Sequence, residues 1–122
     1  MIYTLGEKNP PAGNTLRPST ARYYFQVANF RDPQSKRGLR LLDGRDEPVK
    51  KFVGADPRVK LIRDEVLSLA YTHIRGEKEA FFSLALEDRH GKWIAPAIGE
   101  IVADALDDAG FKVVVVHRGL NS

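Results

Sequence analysis

The chain is 122 residues long with 43% hydrophobic and 29% charged residues, a balance that suits one folded domain and excludes a disordered chain. It contains no cysteine, which excludes a disulfide framework, thiolate metal sites and a cysteine nucleophile. The net charge of +3 is unevenly placed: residues 1–60 hold twelve Lys and Arg against six Asp and Glu, and the remainder hold seven against ten.

Residues 1–20 include Pro10, Pro11, Gly13 and Pro18 and read as an irregular amino-terminal arm, with a short strand at its start over residues 2–5. The domain proper is expected over residues 21–122. Residues 23–30 (YYFQVANF) are aromatic and β-branched, as strands are. A loop with Pro33, Gly38 and Gly44 follows. Asp46 can then cap a short helix that carries Pro48 in its first turn and turns Val49, Phe52 and Val53 inward.

Asp56-Pro57 starts a second helix, in which Val59, Ile62, Val66, Leu69 and Ala70 recur at helical spacing until Gly76. His73 lies toward its end, where a cationic imidazole suits the helix dipole in a structural role. Residues 80–86 (AFFSLAL) form a short apolar run, expected of a strand covered on both faces. A third helix is expected over residues 94–109, ended by Gly110, and residues 111–116 (FKVVVV) form a last buried strand. No run is long enough to span a bilayer, and residues 1–13 show no secretion signal, so a cytoplasmic protein is expected.

This order predicts an α/β fold: a small single-domain sheet, mainly parallel, with βαβαβ order and helices packed on it. Ligands of open parallel sheets gather at the carboxyl ends of the strands. That edge collects Asn29, Arg31 and Asp32 after the first strand, residues 87–93 after the second, and His117 and Arg118 after the third. Arg31, Lys36, Arg37 and Arg40 make the densest basic stretch, suited to phosphate or RNA, or else a solvated basic loop. Arg89, His90 and Lys92 offer a cationic loop, or pair with Glu87 and Asp88 on the surface. Trp93 is a base-stacking platform or a packing anchor. Asp88, His90 and His117 could meet as metal ligands or as an acid–base pair, but no catalytic, metal or cofactor motif supports this.

The segment FRDPQSKRGLRLLDGRDEPVKKFV, with Asp32-Pro33, Leu39-Arg40, Gly44, Asp46, Pro48 and Val49, resembles the carboxy-terminal domain of the RapZ (YvcJ) family of ribonuclease adapter proteins. The ending GFKVVVVHRGL, with His117, Arg118 and Leu120, is similar to the family's closing strand. The resemblance covers roughly residues 22–120. It implies a stand-alone, non-enzymatic second domain, since the phosphate-loop pattern of the family's first domain is absent from this sequence. It also implies regulatory partners: RNA, a ribonuclease or another protein, an amino-sugar phosphate, and further copies of the chain.

The family's G-C-T-G-G-x-H-R-S loop corresponds here to ALEDRHGKWIAP, residues 85–96, where glycine is largely lost and Glu87 and Asp88 oppose an anion. Both departures count against the sugar-phosphate site. The expected function is therefore RNA or phosphorylated-ligand binding through Arg31, Arg89, His90, Lys92, His117 and Arg118, extended by Arg37 and Arg40. The alternative is a divergent protein–protein interaction domain that keeps the fold and has lost the ligand site.

Overall fold

The computed structural model describes residues 2–6, 22–27, 39, 42–79, 82–88 and 92–117. Four strands, β1 (Ile2–Gly6), β2 (Tyr23–Gln26), β3 (Leu84–Asp88) and β4 (Val115–His117), form one sheet in the order β2-β3-β1-β4. Every neighbouring pair is parallel. The α/β class and the parallel sheet therefore stand. The short strand expected at the start of the amino-terminal segment is present as Ile2–Gly6, and it is an inner strand between β3 and β4; residues 7–20 lie outside the described residues. Five residues are too short for periodicity to reveal such a place.

Two rows of side chains share one face of the sheet. Tyr23, Leu84, Ile2 and Val115 form the first row; Phe25, Leu86, Thr4 and His117 form the second. Helix α3 (Ile94–Asp108) covers this face, and Ile2, Leu84, Leu86 and Ile98 are fully buried between them. A Cβ on Gly99 would lie 2.7 Å from Thr4 Cγ2, so the helix approaches β1 closely because that position has no side chain.

Helices α1 (Glu47–Gly54) and α2 (Pro57–Ala70) pack against α3. Asp56 caps α2 by accepting the Arg58 amide at 2.9 Å, with Pro57 at the first helical position. Asp46 precedes α1 but its side chain accepts instead from the Asp43 amide at 2.8 Å. Helix α2 runs into a π-helical turn, Tyr71–Gly76, a geometry that side-chain periodicity does not announce.

Helix α3 ends in a Schellman motif: Gly110 N donates to Asp107 O at 2.9 Å and Phe111 N to Leu106 O at 3.0 Å, with Gly110 at φ 91°. Phe111 is thereby drawn into the helix terminus, which is why β4 begins at Val115 rather than at residue 111. Residues 28–30 and 80–81, expected in strands, lie outside the described residues. No helix among the described residues is long and apolar enough to cross a membrane.

Candidate functional site

Because the four strands are parallel, Gly6, Gln26, Asp88 and His117 end at one edge. Asp88 is buried there, and its Oδ2 accepts the Ala95 amide at 2.7 Å. Helix α3 begins after Trp93, which has no capping oxygen, so the end of β3 supplies the acceptor for one of its orphan amides. A carboxylate thus occupies the anion position at this helix start. Asp88→Ala would leave the buried Ala95 amide without that acceptor and cost about 1–2 kcal/mol, read as a lowered urea midpoint. Asp88→Asn, which keeps an acceptor oxygen, should lose less.

Beside it, His117 is held at both ring nitrogens. Nδ1 lies 2.6 Å from the Thr4 hydroxyl, the neighbour in its sheet row, and Nε2 lies 2.9 Å from Glu100 Oε1 on α3. A carboxylate only accepts, so in the neutral ring Nε2 carries the proton and Nδ1 accepts from Thr4. This arrangement ties the last strand to the inner strand and to the covering helix.

The turn from Leu42 to Asp46 closes the edge. Gly44 N donates to Lys92 O at 2.8 Å, fastening the turn to the segment before α3. Asp43 accepts the Arg45 amide and guanidinium at 2.8–3.1 Å. The Arg45 guanidinium holds the Asp43 carboxyl below the usual aspartate range, with His117 a smaller contributor. Lys92 places its ammonium 5.0 Å from the centroid of Trp93, and Trp93 itself is buried in the core as a packing anchor.

Of the sequence-derived site residues, Lys92 and His117 are described, both at this carboxyl edge. Arg31, Arg37, Arg40, Arg89, His90 and Arg118 lie outside the described residues. The acid–base pairing of Asp88 and His117 is not the arrangement present, since Asp88 bonds the Ala95 amide and His117 bonds Thr4 and Glu100. Sequence reasoning missed Thr4 and Glu100. They lie 113 and 17 residues from His117, and no local spacing links them.

The family model described as the RapZ C-terminal domain matches residues 13–121. The chain belongs to the RapZ C-terminal domain family. This RapZ-type domain is 33% identical over 100 residues to a nucleotide-binding protein of Cereibacter sphaeroides (strain ATCC 17025), covering 79% of this chain and 33% of that protein. It is 36% identical over 85 residues to one of Thermobifida fusca, covering 67% of this chain and 29% of that protein. A third, of Laribacter hongkongensis, is 29% identical over 107 residues, covering 85% and 38%. The chain thus spans about a third of the length of the curated relatives it matches.

Proposed function

We propose that this RapZ-type domain is a non-enzymatic, regulatory binding module of the cytoplasm whose carboxyl edge receives RNA. The observation that carries the reading is the wholly parallel sheet, which brings the ends of β2, β3 and β4 to one edge. In the sequence, Arg31, Arg37 and Arg40 follow β2, Arg89, His90 and Lys92 follow β3, and Arg118 follows β4. The relatives' name, nucleotide-binding protein, agrees in ligand class with a polyanion of nucleotides. No G-x-x-x-x-G-K-[ST] phosphate loop occurs in this chain, so binding here would rest on other groups.

RNA is favoured over a compact sugar phosphate because the Asp88 carboxylate already holds an amide at the start of α3. A small dianion needs such amides, whereas a phosphodiester chain can spread over separate cations. The test is a titration of the full chain with structured RNA at two salt concentrations, beside a thermal-shift screen of sugar phosphates. Saturable binding that weakens steeply with salt is expected. Arg37→Ala with Arg40→Ala should weaken it and flatten the log–log salt slope by about 1 for each phosphate that is no longer neutralised. An unchanged slope removes that patch from the interface.

The Asp88–Ala95 bond also favours a second reading, a domain that docks a ribonuclease or another protein and keeps the fold without the ligand. Absence of both RNA binding and sugar-phosphate stabilisation would select it.

A further inference from the structure

The opposite edge carries a separate cluster. Tyr23 opens β2, and its hydroxyl is hydrogen-bonded to Nε2 of His73 in the π-helical turn. The His73 ring is packed between Tyr23 and Phe82, each 5.6 Å away between centroids, and its side chain is only 8% exposed. Its other nitrogen, Nδ1, is buried and has no hydrogen-bond partner among the described residues. Two carboxylate oxygens nevertheless stand beside it: Glu79 Oε2 at 3.0 Å and Glu77 Oε2 at 3.7 Å. Glu77 follows His73 by one helical turn. Glu79 is returned to it by Lys78 at φ 56° and by its own amide, which donates to His73 O at 2.8 Å.

A neutral Nδ1 lone pair beside two carboxylates is repulsive, and a proton on Nδ1 finds no acceptor in hydrogen-bond geometry. A cation on the lone-pair axis answers both. Ligand atoms of a tetrahedral zinc ion at roughly 2.0–2.2 Å stand about 3.3–3.6 Å apart, a range that the 3.0 Å and 3.7 Å separations from Nδ1 bracket closely. The three candidate atoms lie within 4.8 Å of one another. Tyr23 supplies the partner that a metal-binding imidazole ordinarily has on its other nitrogen.

We propose that His73 Nδ1, Glu77 and Glu79 form a binding site for a divalent transition cation, zinc in the first place, at the amino edge of the sheet. Imidazole with carboxylate suits zinc and its first-row neighbours. Glu77, with its side chain 58% exposed, leaves the remaining coordination position open to water. Arg22 also reaches the cluster, with its Nη1 2.5 Å from Glu79 Oε2. It holds the Glu79 carboxyl below the ordinary glutamate range and competes with a metal for that oxygen.

The site is independent of the carboxyl edge, and its test does not require RNA. The full chain, freed of metal with a chelator, is titrated with zinc in competition with a chromophoric indicator. One equivalent should bind, and cobalt should give a visible absorption spectrum of an imidazole–carboxylate site. Glu77→Gln, at an exposed position, should keep the metal-free unfolding midpoint yet weaken zinc by at least ~10-fold. Arg22→Gln should tighten it. Zinc binding unaffected by Glu77→Gln combined with Glu79→Gln would place the ion elsewhere, and no saturable binding in either wild type or Arg22→Gln would refute the site.

Discussion

Alanine at position 44 is expected to destabilise the domain by about 3 kcal/mol, a large share of the 5–15 kcal/mol that holds most domains folded. A Cβ at Gly44 would lie 2.4 Å from Ala97 N, 2.6 Å from Trp93 O and 2.6 Å from Pro96 Cβ. Two of those atoms are backbone at the start of α3, and the third belongs to a rigid ring. None can swing aside as a flexible side chain would. Either the Leu42–Asp46 turn lifts off α3 and loses its Gly44–Lys92 hydrogen bond, or the first turn of α3 shifts against the core. Urea unfolding measures the loss directly. A change below about 1 kcal/mol would mean that the turn is not seated on α3 as described. The glycine matters for space, since the positive-φ glycine among the described residues is Gly110.

Gly44 also marks how far the sequence could be read. Its place in the family pattern is visible, but the reason lies in contacts with residues some fifty positions away. Signals that act within one turn were legible: Asp56-Pro57 opening α2, Pro48 in α1, and Gly110 closing α3. So were the apolar spacings that bury Val59 and Val66, or Val49 and Val53. These depend on local backbone sterics and on helical period, both written in consecutive residues.

What could not be read depends on tertiary approach. Residues 2–5 read as a short strand, yet only sheet pairing makes Ile2–Gly6 an inner one. Asp88 reads as a negative charge in a loop, yet burial at the end of β3 makes it the acceptor for α3. His73 reads as a cation suited to a helix end. The π-helical turn instead aims its ring at Tyr23 and leaves Nδ1 against two glutamates. The candidate site was legible as an edge, because parallel topology follows from element order. The partners of His117 on that edge were not.

Valine at position 99 is the second large effect, expected at about 3 kcal/mol, and it reports on that same edge. Helix propensity alone favours alanine over glycine inside a helix by about 1 kcal/mol, so an unconstrained site would gain stability from Gly99→Ala. Here the new Cβ stands 2.7 Å from Thr4 Cγ2, with Ile2 Cγ2 at 3.7 Å and Leu86 Cδ1 at 3.8 Å. Thr4 is fully buried on an inner strand and its β-branched side chain has few rotamers, so it cannot yield cheaply. The clash therefore outweighs the propensity gain for alanine, and the added methyls of valine enlarge it.

Thr4 also gives its hydroxyl to His117 Nδ1, so any displacement loosens the ring that joins β4 to Glu100. Thr4→Ser separates the two effects, because it removes Cγ2 and keeps the oxygen. In a double-mutant cycle, Thr4→Ser should recover part of the stability lost in Gly99→Ala, with a coupling of about 1 kcal/mol. The His117 ring resonances should return toward their wild-type positions in the same variant. Strictly additive losses would mean that α3 does not bear on Thr4 at Gly99, and that the His117–Glu100 hydrogen bond alone joins the helix to this corner of the sheet.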